Sequence, residues 1–324
     1  MKAAAWNGRE EVRVEKVKDS PAPPAALPAP CMTTLREVLA EADRTGVAVG
    51  HFNISELVAL KGVSDVAREL KVPVLIGMSE SERNFIGVRQ AVALVHSIRD
   101  EFGQPIFLSA DHTHSLIEAL EVARAGFDAV VFDLSDKPID QNFRSTREAV
   151  EAIKQINSSI LVEGEIGYIG SGSAIHERAP ESVLTTPEEA AQFIASTGVD
   201  VLAPAVGNMH GLLRSMVSGE TQKRLNIARI REIKQATGIF LTLHGGSGTN
   251  DDDLRQAIQA GITVVHINTE IRLAWRRGLA EALTQHPDEI APYKILPAAL
   301  EAVKNVVRAR LQLFAGRTVV SARG

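Results

Sequence analysis

From Thr33 onward, short β-branched apolar runs alternate with helical patterns, and this alternation constrains the fold more tightly than any other feature of the chain. The runs stand at Val47–Asn53, Val74–Met78, Pro105–Asp111, Phe127–Asp133, Ile160–Ile166, Val201–Val206, Ile239–His244 and Ile262–Asn268. Runs this continuous in apolar residues predict parallel strands buried on both faces. Between them the period becomes helical. In "HSLIEALEVARAG", Leu116, Leu120 and Ala123 share one face and Gly126 supplies a stop. In "TTPEEAAQFIAS", Thr186 reads as the N-cap, Pro187 as the first helical residue and Glu189 as the reciprocal partner of a capping box. Strand–helix units repeated eight times over roughly 250 residues predict a closed (β/α)8 TIM barrel. An open doubly wound sheet is the competing arrangement. The segment "DEIAPYKILPAALEAVKNVVRARLQLF" adds a C-terminal helical extension of one or two helices, with Leu296, Leu300 and Val303 on a shared face.

The 324 residues are 45% hydrophobic and 23% charged, which allows a large core and excludes a disordered class. A net charge of −5 gives no electrostatic footprint for nucleic acid. The single cysteine, Cys31, excludes an internal disulfide framework and fits a reducing compartment. No apolar run is long enough to span a bilayer, and no signal-peptide core opens the chain. A cytoplasmic protein with neither nucleic-acid nor membrane partners is expected. Residues 1–31 stand apart. "KDSPAPPAALPAPC" reads as a stiff, extended linker. The residues before it look like the opening strands of a medium-chain zinc alcohol dehydrogenase, but no glycine-rich dinucleotide fingerprint follows a strand. Met32 opens "MTTLREVL", which reads like a natural start. Residues 1–31 are therefore expected to be an extension with little fixed structure, and 32–324 a single barrel domain.

In such a barrel, catalytic groups stand at the C-terminal strand ends. There the sequence places Asn53, Ser79, Asp111, His112, Asp133, Glu163, Glu165, His210, His244 and the segment "HINTE". An aspartate after a strand is commonly a helix cap, and a lone histidine commonly packs with a satisfied hydrogen bond. Three histidines at the mouths of the third, sixth and seventh strands point further. His112, His210 and His244 form a ligand set with coordination positions left open, as a catalytic Zn²⁺ needs to polarise a substrate oxygen. "LHGGSG" and Gly211 offer backbone donors for a phosphate, helped by Ser247, Thr269 and the helix terminus that follows. Metal, phosphate and carboxylic acid together suggest chemistry on a phosphorylated ketose, with Asp111 exchanging a proton with the C4 oxygen.

The motifs "SADH", "VEGEIG", "AVGNMHG", "LHGGSG" and "HINTEI", in that order, resemble the class II metal-dependent fructose- and tagatose-bisphosphate aldolases. The resemblance runs from about Thr33 to the helix after the eighth strand. It implies Zn²⁺ on His112, His210 and His244, with Asp133 and Glu165 serving an inner metal position or its surroundings. It implies Asp111 as the acid/base at C4. Gly211, Gly245, Ser247 and Thr269 would hold the dihydroxyacetone phosphate end, with Asn53, Ser79 and Asn268 near the substrate and a monovalent cation near Gly211 and Gly245. A homodimer or homotetramer is the family habit. Three positions depart from the pattern. Ser109 replaces a histidine, His266 stands where an asparagine would meet the substrate, and the loop "GYIGSGSAIHERAPES" has no acid directly after its glycines. Glu177 and His176 are the nearest candidates there for the base that enolises the substrate. No lysine stands at a strand end, which disfavours Schiff-base chemistry. The expected reaction is reversible cleavage of a ketose bisphosphate, such as fructose 1,6-bisphosphate, to dihydroxyacetone phosphate and an aldehyde. The alternative is an aldolase-like barrel that binds a sugar phosphate with altered substrate or lost catalysis.

Overall fold

The computed structural model describes residues 33–170, 172–178 and 183–316; the expectations for residues 1–31 lie outside them. Eight strands form a closed barrel: β1 (Val49–Asn53), β2 (Val74–Met78), β3 (Ile106–Thr113), β4 (Ala129–Phe132), β5 (Leu161–Ile166), β6 (Val201–Pro204), β7 (Phe240–Leu243) and β8 (Ile262–Ile267). Every pairing is parallel between sequence neighbours, and β8 closes on β1 with His51 opposite His266. All eight predicted strands are present. β4, β6 and β7 are shorter than the apolar runs suggest, and β3 runs past Asp111 because its register against β4 shifts between Ala110 and Thr113. A two-residue pair, Ile175–His176 beside Leu212–Leu213, has no signature in the sequence.

Side chains alternate inward and outward along each strand. The outward set, including Ile76, Leu108, Val130, Val162 and Leu241, joins the buried faces of the surrounding helices in one large core. The inward set forms a second cluster of Val49, Leu75, Phe107, Ala129, Leu161, Val201 and Val264. That cluster is closed from below by Leu35, Val38, Leu39 and Ala42 of the helix Leu35–Thr45. A complete capping box between Thr34 and Glu37 starts this helix, and Gly46 in the left-handed region ends it. The capping box expected at Thr186 and Glu189 is also formed. The C-terminal extension is one helix, Pro292–Phe314, not two. Val303 is buried there, while Leu296 and Leu300 are half-buried on the same side. Among the described residues, no helix is long and apolar enough to cross a membrane.

Candidate active site

Continuing the inward alternation up each strand gives two polar tiers above the apolar floor. The middle tier carries His51, Gly77, Ser109, Glu163, Thr242 and His266; the upper carries Asn53, Ser79, Asp111, Asp133, Glu165, His244 and Asn268. A cavity of about 430 Å³ opens above the upper tier. It is lined by Asn53, Ser79, Asp111, His112, Asp133, His210, Gly211, Gly245, Ser247, His266, Asn268 and Thr269, all expected there from the sequence. His114, Tyr168 and Arg272 line it as well.

The irregularity in β3 brings two consecutive residues into the site. Asp111 follows the inward alternation, and His112 turns in because its φ is +42°, a conformation rarely adopted without glycine. His112, His210 and His244 then converge, with ring centroids 4.7 Å apart for His112 and His210 and 4.8 Å for His112 and His244. Carboxylates orient two of the rings. Asp133 Oδ2 lies 2.8 Å from His112 Nδ1, and Glu163 Oε1 lies 2.6 Å from His244 Nε2. Glu163 is itself held by the Thr242 hydroxyl at 2.8 Å. One ring nitrogen of each histidine is left for an ion, the arrangement in which outer carboxylates set the tautomer of metal ligands.

The residues fit a divalent metal. Glu165 Oε2, His210 Nε2 and His244 Nδ1 are buried and make no hydrogen bond. Glu165 Oε2 and His244 Nδ1 lie 3.2 Å apart, which leaves His210 Nε2 as the buried ring nitrogen without a partner, a cost of about 1–3 kcal/mol; the three atoms converge where a cation would stand. Ligand atoms from His112, Glu165, His210 and His244 lie within 4.8 Å of one another. Imidazoles with a carboxylate are a donor set suited to Zn²⁺. Burial, and then Asp133, pushes the Glu165 carboxyl up to about 8, as expected where negative charge awaits a positive partner.

Asp111 faces the cavity above a column of imidazoles. Asn53 Nδ2 donates to Asp111 Oδ2 at 2.8 Å and to Glu82 Oε2 at 3.0 Å. Glu82 also accepts from the Ser79 hydroxyl and from Arg272. Behind them the buried Arg83 donates to the carbonyls of Met78 and Asp111 and to Thr113 Oγ1, clamping β2 to β3. Burial pushes the Asp111 carboxyl up, but His112 and then the side-chain hydrogen bond with His266 outweigh it and hold it well below its ordinary range. Asp111 thus stands as a carboxylate.

Below, His266 stacks on His244 with centroids 4.0 Å apart, and His51 stacks on His266 at 3.5 Å and 7°. Burial keeps His51 near 4, so its ring is neutral. The column exists because Gly77 has no side chain: a Cβ there would lie 2.0 Å from His51 Cε1. Gly77→Ala is therefore expected to destabilise the protein by about 2 kcal/mol, the scale of an overpacked core, measured as a lowered midpoint in urea. An unchanged midpoint would show that His51 moves aside freely.

The glycine loops are fixed by close backbone approach. A Cβ on Gly245 would meet Met209 O at 2.1 Å, and one on Gly211 would meet Ala174 O at 2.3 Å. The Ser247 hydroxyl accepts from the backbone N–H groups of Asn268 and Glu270 and so caps the helix Thr269–Gln285. Where the resemblance implies a monovalent cation, near Gly211 and Gly245, the structure puts the ammonium of Lys223. Burial draws Lys223 down to about 7, while Glu270 opposes this and its carbonyl partners favour the ammonium form.

Glu177 is not brought to the cavity. Its side chain is 72% exposed and pairs with Arg214 at 2.7 Å, because the Ile175–His176 pairing with Leu212–Leu213 carries the chain past the rim. His176 packs against Gly211 instead of lining the cavity. The loop contributes Tyr168, Gly170, Gly172 and Ser173 to the lining.

This barrel, with its histidine cluster and glycine loops, matches the family described as fructose-bisphosphate aldolase class-II over residues 33–317. The chain belongs to that family. The family places it among the aldehyde-lyases. A Bacillus subtilis protein named "Probable fructose-bisphosphate aldolase" is 31% identical over 286 residues, covering 87% of this chain and 97% of its own length. The fructose-bisphosphate aldolase of Staphylococcus aureus strain N315 is 29% identical over 288 residues, with 87% and 97% covered. Among solved structures, the YdjI aldolase from Escherichia coli K12 superposes with a TM-score of 0.71 at 27% identity, covering 86% of this chain and 96% of that one.

Proposed function

We propose that this class II aldolase uses Zn²⁺ to cleave and form the C3–C4 bond of a ketose bisphosphate resembling fructose 1,6-bisphosphate. What carries the reading is the convergence of ligand atoms from His112, His210, His244 and Glu165 within 4.8 Å of one another, next to the cavity that Asp111, His112 and His210 line. His112, His210 and His244 would hold the ion, with Glu165 and Asp133 beside it. When bound, Zn²⁺ supplies a Lewis acid that draws charge from the ketose carbonyl. Asp111 accepts the proton of the C4 hydroxyl as the C3–C4 bond breaks; the C4 oxygen becomes the aldehyde carbonyl and the bonding pair passes to the dihydroxyacetone phosphate fragment. Backbone N–H groups of the Gly211 and Gly245 loops, with Ser247 and Thr269, bind the phosphate of that fragment. Asn53, Ser79, Asn268 and His266 surround the sugar, and Arg272 stands at the cavity edge within reach of the second phosphate. The names of the Bacillus and Staphylococcus relatives support fructose bisphosphate as the substrate. Exposed Ile290 and Tyr293 before and within the C-terminal helix support a homodimer or homotetramer, which light scattering would read.

The test is a panel of ketose mono- and bisphosphates assayed for release of dihydroxyacetone phosphate, with and without a chelator. Turnover of one bisphosphate that stops with chelator and returns with Zn²⁺ is expected. Zinc-loaded protein that binds dihydroxyacetone phosphate but cleaves no member would replace this reading with a sugar-phosphate-binding barrel.

A further inference from the structure

Lys223 lies in the segment before the helix Ile227–Thr237, yet its side chain is buried among backbone groups. Its own backbone is anchored: its N–H donates to Gly248 O at 2.9 Å, and its carbonyl accepts from Asn250 at 3.2 Å. From there Nζ donates to Met209 O at 2.8 Å, Gly211 O at 2.7 Å and Gly245 O at 2.8 Å. Three carbonyl dipoles with their negative ends converging repel one another unless a cation stands between them. The three N–H bonds of an ammonium match three acceptors, whereas a neutral amine would leave one unmatched. An ammonium and a potassium ion are similar in size, and a ring of carbonyl oxygens is a coordination shell for either.

The three carbonyls belong to the loops that follow β6 and β7. Met209 and Gly211 flank His210, and Gly245 follows His244. Gly211 and Gly245 both line the cavity with φ of +69° and +61°. One ammonium therefore ties together the two backbone turns that carry two histidines and the glycine N–H groups. We propose that Lys223 is a tethered monovalent cation: its ammonium fills a three-carbonyl site that would otherwise take a free alkali ion, and it holds both glycine loops in their anion-binding arrangement without dissolved K⁺ or Na⁺. The anion-binding part rests on the function proposed above; the cation part does not.

The test compares zinc-loaded wild type with Lys223→Met and Lys223→Gln in potassium, ammonium and tetramethylammonium chloride at matched ionic strength. Two quantities are read, the melting temperature and the affinity for inorganic phosphate. Wild type is expected to give the same values in all three salts. Lys223→Met is expected to melt lower and bind phosphate about tenfold more weakly in tetramethylammonium, the loss expected when charged hydrogen bonds disappear. Potassium or ammonium should restore both in a saturable way. Lys223→Gln fills the cage with a neutral amide, so it should bind phosphate more weakly and gain nothing from potassium. A potassium-dependent wild type overturns the proposal, as does a folded Lys223→Met indifferent to the cation or a Lys223→Gln with unaltered affinity. If wild type binds phosphate in no salt, the anion-binding reading fails, and the melting comparison alone decides the cation claim.

Discussion

Replacing His210 with alanine is expected to lower kcat for ketose cleavage by roughly a thousandfold, the several kcal/mol that a Lewis acid contributes to charge stabilisation. The barrel should survive the change. His210 sits on the loop after β6, and its Nε2 makes no hydrogen bond within the protein, so truncation orphans no partner. The metal-free variant should therefore melt at or above the temperature of metal-free wild type. Adding Zn²⁺ should raise the wild-type midpoint, because an ion that binds only the folded state stabilises it by mass action. The variant, left with His112 and His244 and the Glu165 carboxylate, should gain much less and should carry less than one zinc per chain by elemental analysis. A variant with full zinc content and activity within about tenfold of wild type would remove His210 from the metal site.

Why His210 could be chosen from the sequence, while other residues of the same site could not, follows from how each departs from its surroundings. The upper polar tier interrupts apolar runs at strand ends, so Asp111, Glu165 and His244 stand out once eight parallel strands are inferred. In the middle tier Glu163 and His266 stand out, His266 where an asparagine would meet the substrate, but nothing in the sequence joins His266 to His51. His51 sits inside "VGHFN", where a single histidine reads as a core residue, far in sequence from the His266 of "VVHIN". Their stacking depends on closure of β8 against β1, which sets His51 opposite His266, and on the bare Gly77 two strand positions above Leu75. Lys223 was hidden for a different reason. "ETQKRL" looks like a solvated polar turn, and only the folded loops show three carbonyls aimed at its Nζ.

Glu82 and Arg83, in "SESERNFI", likewise look like a solvated first turn, but the helix Glu80–Ile86 starts so close to the β2 end that both turn under the cavity. Conversely, Glu177 was legible as an acid near the right loop and is nonetheless turned away. Proximity in sequence carries little information where a loop's path is set by a tertiary pairing such as that of His176 with Leu213. Regular elements transmit side-chain direction by their period; loops do not.

The second large effect is expected at Asp111. Asp111→Asn preserves volume and the hydrogen bond with Asn53, whose amide would face the new side-chain oxygen at a position now accepting at 2.8 Å. It removes the carboxylate proposed to take the C4 proton. General-base contributions run about 10²–10⁴-fold, so kcat for cleavage should fall by that factor with KM little changed, the pattern of an interaction made in the transition state. Zinc content should remain at the wild-type level, because Asp111 Oδ1 is 3.7 Å from His112 Nε2 and the ion would rest on other atoms. This combination separates the two largest effects: His210→Ala loses activity together with metal, Asp111→Asn loses it with the metal in place. Loss of zinc from Asp111→Asn would make its carboxylate a ligand or a support for His112. Retention of zinc with kcat within about threefold of wild type would transfer the C4 proton to another group, and His266, 3.4 Å from Asp111 Oδ1, is the side chain that would then be substituted next.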